Sequence, residues 1–422
     1  MATVSNVVEA LKYTYGVDRV QRILNEEAVT WAILGKVKKP VAGRGQFLMP
    51  ILVQNPGAWK GITEGGALPS ALQPDTTEAS FSLQEFTGLY DVSWKLIQDA
   101  RSSKFAFQQA IQMLDEGIRR RIIRNINSDL IGSGRGELAV MPGADNTSPI
   151  TVNALPRVEV GMVIDVMDTD NDTKNGDSLT VTGVDPIART ISLSGNPSST
   201  GAGDYFVIED TCDDSISDSL HLNGLLGVID DANPAAVVGN YGSINRSTAG
   251  NEFWKSVVLD NGGTNRTLTE DLLLQAMDAA REKGGTLIKA WMSNLAIARR
   301  YHEILAGERF FALSKPGTLS GGIGRPDGKA PANGKSPYEF SDIPWHIEPY
   351  FTANTIIGLD TDHFFIGVGE NEVPRPISEV FDNIPFFRQT SNATFEVAWY
   401  WQGELISDNP AAGVKIEDIA ES

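Results

Sequence analysis

Cysteine is almost absent: Cys212 is the one thiol in 422 residues. No intrachain disulfide can form, which fits a reducing compartment, and so solitary a thiol reads as a small buried hydrophobe rather than a nucleophile. Histidine is scarce too, with residues at 221, 302, 346 and 363 only. His302-Glu303 is followed by Ile304, Leu305 and Ala306, so a zinc-binding His-Glu-x-x-His is missing. A Gly-x-Ser-x-Gly turn is missing as well. Gly334-Lys335-Ser336 looks like the end of a phosphate loop, but Lys329 stands where its leading glycine belongs and Pro337 follows where a helix should begin. Apolar runs stay short of the roughly 18 residues that span a bilayer. The first residues, Met1-Ala2-Thr3-Val4-Ser5-Asn6, lack the basic patch and apolar core of a secretory signal, so none is expected.

Two acidic groupings test for metals. Asp168-Thr169-Asp170-Asn171-Asp172 opens like a calcium loop, but Thr173 takes the position that needs glycine and Leu179 the one that needs a bidentate glutamate. An acidic hairpin loop is the better reading. His346, Glu348, Asp360, Asp362 and His363 could gather at a metal, yet alternation along two strands explains them equally well. Glu64 and Glu85 make no convincing carboxylate pair. The search for chemistry returns no catalytic residue, no metal site and no cofactor, which favours a structural protein over an enzyme. Positive charge is also in deficit: 35 Lys and Arg against 54 Asp and Glu give −19, which argues against a coat that wraps phosphate directly.

What is present is ordinary globular material, 41% hydrophobic and 21% charged, with length for two or three compact units. The stretch that organises it is an arm. Strands over 46–54 and 78–92 flank a Gly/Pro-rich tip of more than twenty residues holding Trp59, Lys60, Glu64, Gly65, Gly66 and Pro69. Two strands alone are marginal in water, so this hairpin needs a neighbour to lie on. A long helix follows, from near Ser102 to Leu130. Phe107, Ile111, Leu114, Ile118, Ile122, Ile126 and Leu130 make its apolar stripe, and Arg119, Arg120, Arg121 and Arg124 cluster on it. Those arginines read as a solvated face with acidic partners, or as a patch facing nucleic acid. Ser133-Gly134-Arg135-Gly136 breaks the helix.

Before the arm, a helix reading Val20, Ile23, Leu24, Ala28, Trp31, Ala32 and Leu34 ends in Lys36, Lys38, Lys39 and Pro40, after a short helix over 4–11. After the long helix, residues 145–214 turn acidic: thirteen Asp and Glu against three Lys and Arg, or −10. Short strands over 162–167, 178–184, 190–194 and 205–208, parted by turns such as Asn175-Gly176, predict a small inserted β-barrel. Leu222, Leu225, Leu226, Val228 and Ile229 then form an apolar segment. Thr269 should cap a helix that Gly284-Gly285 ends, residues 287–292 a buried strand, and Ser293 cap the next helix. Residues 315–338 read as a loop. Strands are expected over 343–348, 355–359 and 363–368, and around Phe395, Val397, Trp399 and Trp401, which alternate with outward residues.

This order resembles the tailed-bacteriophage major capsid proteins. The features that carry it are Trp59, Glu64 and Pro69 at the tip, Phe81-x-Leu83 on the return strand, the exit Val92-Ser93-x-x-Leu96-x-x-Asp99, the long helix, and Lys289-Ala290-Trp291-Met292-Ser293-Asn294 in a helix–strand–helix passage. The resemblance implies the α+β capsid fold that those shells share with encapsulins and the herpesvirus capsid floor. Its parts would be an N-terminal arm (1–40), an extended hairpin arm (41–92), a spine helix of the peripheral domain (93–140), the inserted acidic β-domain (145–214), a helix–strand–helix passage between peripheral and axial domains (215–310), an axial domain (311–375) and C-terminal peripheral strands (376–422).

Further implications are functional. The chain would assemble with itself into hexamers and pentamers in the host cytoplasm and enclose double-stranded DNA in a virion, without sequence-specific contacts or a membrane. Net negative charge suits a wall that must not hold its contents tightly. A portal protein, a scaffolding protein and a decoration protein are the implied partners. The chain begins almost directly with the arm rather than a coiled-coil leader, so a separate scaffolding protein is expected. Trp59, Lys60, Glu64, Pro69, Arg119, Arg120, Arg121 and Arg124 are the candidate subunit contacts. Some relatives crosslink an arm lysine to a neighbour's asparagine; Lys60 with Asn383 or Asn392 would be the pair here, although a plain solvated lysine reads better. Other readings are an encapsulin-like compartment, or a β-rich virion surface or tail protein, which would need neither the long helix nor the helix–strand–helix passage.

Overall fold

The computed structural model describes residues 28–38, 46–70, 73–93, 104–153, 157–169, 173–212, 219–312, 338–369, 372–377, 387–388 and 394–421. Outside them lie the short helix expected over 4–11, the strand exit over 94–99, Gly334-Lys335-Ser336, Asp170 and Asp172 of the acidic loop, and the acceptor candidates Asn383 and Asn392.

In chain order, a short helix α1 (Val29–Ile33) leads into β1 (Gly35–Lys38). The arm is β2 (Gln46–Gln54) and β3 (Asp75–Ser82), followed by β4 (Gln84–Ser93) and the long helix α2 (Lys104–Ile131). Six strands come next: β5 (Ala139–Val140), β6 (Ile150–Thr151), β7 (Val163–Met167), β8 (Lys174–Asp185), β9 (Thr190–Leu193) and β10 (Tyr205–Ile208). Then follow α3 (Leu225–Val228), β11 (Val257–Leu259), α4 (Glu270–Gly284), β12 (Ala290–Ser293) and α5 (Leu295–Ala312). Strands β13 (Tyr338–Phe340), β14 (Ile343–Ile347), β15 (Ile356–Leu359), β16 (Phe364–Val368), β17 (Arg375–Pro376), β18 (Phe387–Arg388), β19 (Thr394–Ser407) and β20 (Gly413–Ile416) complete the chain.

Among the described residues these strands form three six-stranded sheets, with the arm as a separate two-stranded ribbon. The first sheet is organised by β19, whose fourteen residues pair with β16, β17 and β18 along one edge and with β4 along the other. Its alternation is the expected one: Val397, Trp399 and Trp401 are buried. Helix α2 lies across β4 and β19. Gly88 of β4 permits this, since a Cβ there would stand 2.8 Å from the Ile122 side chain. Tyr90 Oη on the same strand donates to Asp115 of the helix at 2.6 Å.

The second sheet, β5-β10-β7-β8-β9-β6, has its own core of Ile150, Ile164, Val166, Val181, Ile191 and Phe206. Asn153 N–H donates to Val140 C=O at 2.8 Å and so ties the β6 end of the path to the β5 end. The third sheet, β11-β20-β15-β12-β14-β13, is mixed. Its core stacks Trp345 between Trp291 and Tyr301, with ring centroids 6.0 and 4.7 Å away.

Several local expectations hold to the residue. Thr269 Oγ1 accepts from Leu272 N–H at 3.2 Å, and Gly285 closes α4 in the left-handed region at φ 68. Others change. The return strand is not one strand over 78–92. It pairs with β2 through Ser82, and after Leu83 with β19. Phe81 and Leu83 continue the same inward alternation, so nothing in the sequence marks the change of partner. The basic run after Leu34 does not close a helix: Gly35–Lys38 pairs in parallel with β16. Lys36 turns back so that Nζ donates to Trp31 C=O at 3.0 Å and lies 4.2 Å over the indole. Ser293 is not the cap of α5. It ends β12, and Asn294 Oδ1 accepts from Ile297 N–H at 3.0 Å instead.

Phe81 sits 2% exposed where arm meets body, edge-on to Tyr241 at 5.1 Å. Phe81→Ala should lower unfolding free energy by about 3–5 kcal/mol, read from denaturant titration.

Candidate assembly surface

The arm is fixed at one end only. Phe47, Ala79 and Phe81 are buried at its root, Phe47 packs on Phe365 at 6.2 Å, and Ser80 Oγ lies 2.8 Å from Ser243 Oγ. Gly242, at φ +61, holds this seat: a Cβ there would meet the Phe81 and Trp254 rings at 3.1 Å and Ala79 Cβ at 3.3 Å. Further out, Leu48, Leu52, Val53, Ile62 and Leu68 are exposed. Trp59 is 96% exposed. Tryptophan is among the residue types enriched at the energetic centres of protein interfaces. Lys60 and Glu64 are exposed beside it, and Pro69 is half-buried. Within the tip, Gly66 N–H donates to Thr63 C=O at 2.8 Å, a single tight turn in otherwise irregular chain.

The arginine cluster divides. Arg119, Arg120 and Arg121 are exposed on α2. Arg120 faces Glu116 one turn away at 3.7 Å, while Arg121 and Arg124 both reach Glu159 of the inserted segment, at 3.9 and 2.5 Å. Part of the cluster therefore fastens helix to insertion, the solvated ion-pair reading rather than a bare basic patch. Exposed pairs of this kind contribute little stability. The half-buried Arg124 is the member with structural weight.

The last turns of α2 hold what the sequence reading missed. Asn127, Ser128 and Asp129 are all buried. Asn127 Oδ1 accepts from Trp31 N–H at 2.9 Å, and its Nδ2 donates to Glu348 at 3.1 Å. Arg157 donates to Ser128 C=O at 3.0 Å, to Glu137 C=O at 3.1 Å and to Tyr350 C=O. Asp129 meets His221 Nδ1 at 3.0 Å. One helical turn thereby joins the leading segment, the third sheet, the inserted sheet's neck and the chain returning from that sheet. Burial raises the Glu348 carboxyl above its ordinary range, against the pull of Asn127 and Arg157. A polar triplet closing an apolar stripe was the signal available, since buried polar groups require partners.

The His346, Glu348, Asp360, Asp362 and His363 grouping, weighed above as a metal site and set against strand alternation, is divided among other partners. Glu348 belongs to the helix turn, Lys289 pairs with Asp360 and Asp362, and His363 Nδ1 lies 2.7 Å from Asp408. Among the described residues no three His, Cys, Asp or Glu side chains gather as a metal site. Thr211, His221 and Asp129 do line up in the order of nucleophile, base and orienting acid, at 2.8 and 3.0 Å. Thr211 Oγ1 also lies 2.6 Å from Ile208 C=O, and Gly136 backbone covers the imidazole so closely that a Cβ would stand 2.2 Å from the ring. A substrate has no place there, and the line is structural. Cys212 is buried.

No protein-family model matches the chain, and no curated protein matches it in sequence. Solved structures do. The capsid asymmetric unit of cyanophage A-1(L) is similar over 96% of both chains, with a TM-score of 0.55 at 13% identity. Two looser likenesses cover as much: the capsid of a native GTA particle (97% of this chain and 98% of that one, TM-score 0.48, 13% identity) and an encapsulin complex from Synechococcus elongatus PCC 7942 (98% and 96%, TM-score 0.46, 8% identity). The cyanophage likeness alone carries the assignment. The protein shares the α+β fold of that cyanophage capsid subunit. Among the described residues no helix is long and apolar enough to cross a membrane.

Asn127→Ala would leave the Trp31 N–H and one Glu348 oxygen without their partner. The expected loss is about 2–4 kcal/mol by denaturant titration.

Proposed function

We propose that this chain is the major capsid protein of a tailed, double-stranded DNA bacteriophage, and that copies of it form hexamers and pentamers that close into an icosahedral shell. The observation that carries the reading is the arm. It is rooted at Phe47 and Phe81 and presents a tip with Trp59 96% exposed, on a fold shared across 96% of its length with a phage capsid subunit. An arm of this form has apolar surface that its own chain leaves uncovered, and a second copy supplies the cover.

In this reading Trp59, Lys60, Glu64 and Pro69 contact the adjacent subunit. The exposed Arg119 and Arg120 face a neighbour or the packaged DNA, while Arg121 and Arg124 hold Glu159. The parts are the N-terminal arm (1–40), the hairpin arm (41–92), the spine helix (93–140), the inserted acidic β-barrel (145–214), the helix–strand–helix passage (215–310), the axial domain (311–375) and the C-terminal peripheral strands (376–422). Adhesion comes from many modest interfaces rather than one strong one, which permits correction early and permanence late. A scaffolding protein guides a smaller procapsid that expands during packaging, a portal protein occupies one vertex, and a decoration protein can bind outside. The reading calls for no cofactor.

Electron microscopy of the purified chain, alone and with candidate scaffolding proteins, tests it. Closed shells or capsomer rings are expected, and a monodisperse monomer under every condition overturns the reading. Shells that carry enzyme cargo instead of DNA would point to a compartment. Trp59→Ala should reduce shell yield at least tenfold while leaving the melting temperature within about a degree, because an exposed side chain contributes little to the fold of its own chain.

A further inference from the structure

Residues 219–223 return the chain from the inserted sheet to the body, and their anchors are buried and titratable. Ser219 Oγ donates to Gly134 C=O at 2.7 Å. Leu220 N–H donates to Thr211 C=O at 3.0 Å. His221 bridges Asp129 at 3.0 Å and Thr211 at 2.8 Å. Asn223 N–H donates to Glu404 Oε1 at 2.8 Å, and the same oxygen accepts from Leu405 N–H at 2.8 Å. The segment is thus held by two carboxylates from two elements, Asp129 of α2 and Glu404 of β19. Both are nearly inaccessible, at 5% and 1% exposure.

We propose that residues 219–223 are a proton-controlled latch between the inserted sheet and the body: closed while Glu404 carries a proton, and opened when Glu404 ionises beside Asp129. The groups that face Glu404 are Asp129 from α2 and Tyr241 from the turn before Ile244. Asp129 is faced in turn by His221 from the segment itself and by Arg157 from the sheet's neck. Burial pushes the Glu404 carboxyl up to about 8, the Asp129 charge adds to the shift, and the hydrogen bonds from Asn223 and Leu405 oppose it.

The packing explains why opening is local. Gly136 lies on the imidazole, and a Cβ at Gly224 would stand 2.0 Å from Gly132 C=O. The segment therefore cannot slide aside to admit water to the carboxylates while it stays seated. Lifting it brings water to both at once. The inserted sheet keeps its separate core of Ile164, Val166, Ile191 and Phe206 when that happens. Its remaining ties to the body include the Arg124–Glu159 pair and the Arg157 hydrogen bonds.

The sign follows from proton linkage. A folded carboxyl held above its unfolded value stabilises the closed state at low pH, and that contribution is lost as pH rises through about 8. Hydrogen–deuterium exchange of the full chain between pH 6 and 10 reads it. After division by the intrinsic base-catalysed rate, protection over 219–224 should fall about tenfold per pH unit from pH 6 to about pH 8, where each opening releases the Glu404 proton, and stay level above that, where the closed state has already lost it. Protection in β12, β15 and β20 should stay level. In Glu404→Gln, whose amide oxygen accepts the same two N–H groups without ionising, protection over 219–224 should be level too. An equal slope in Glu404→Gln overturns the latch. So does a parallel fall in β12, which marks global unfolding, and that comparison needs only the native chain if the variant does not fold. The latch does not depend on the shell reading, and failure of either leaves the other standing.

Discussion

One turn of α2 holds the molecule together. Asn127, Ser128 and Asp129 bond to four chain segments that are distant in sequence, and the turn is deep enough that an unmade bond there leaves a buried polar group exposed to nothing. Apolar packing alone would place a helix across β4 and β19 with some freedom to slide, because contacts between aliphatic side chains are not directional. Hydrogen bonds from the helix end to Trp31, Glu348, Arg157 and His221 remove that freedom. They fix where the inserted sheet, the third sheet and the leading segment stand around one axis.

That fixed body gives the arm its meaning. A two-stranded ribbon has no face of its own to bury, so its stability comes from the root. Phe47 and Phe81 supply it, seated on Phe365, Tyr241 and a glycine that makes room. Met49 and Ile51 continue that inward face as partly buried contacts with the core, and from Leu52 outward the strand is exposed. Surface held out in this way, with a bare tryptophan at its end, is surface that its own chain leaves uncovered.

The inserted sheet adds a different kind of joint. Its link to the body combines an apolar cluster of Met167, Tyr205 and Val207 with Val237 and a set of ionisable groups, Arg157, His221, Asp129 and Glu404, gathered within a few residues of both crossings. A hydrophobic joint responds mainly to force and temperature, whereas this one also responds to protons. The arginines of α2, which read from the sequence as one cluster, serve the same joint through Arg121 and Arg124 and leave Arg119 and Arg120 at the surface.

Local code was legible wherever a residue's neighbours in sequence settle its state. The α2 stripe from Ile118 to Leu130, the Thr269 cap, the Gly285 stop and the alternation through Trp399 and Trp401 appear in the structure, whereas Asn175-Gly176, read as a turn, lies inside β8, where pairing with β7 extends the strand through it. The order of these elements was enough for the capsid fold. Partner choice was not legible. Alternation through Phe81 and Leu83 is the same whether the strand stays with β2 or crosses to β19, and only the position of β19 decides it. Gly35–Lys38 becomes a strand because an edge of β16 is there to receive it, against a sequence that reads as a helix end. The buried carboxylates were hidden for the same reason. Glu348 and Glu404 resemble surface residues until the fold wraps Asn127, Arg157 and Asn223 around them, since burial belongs to the whole chain and not to any stretch of it.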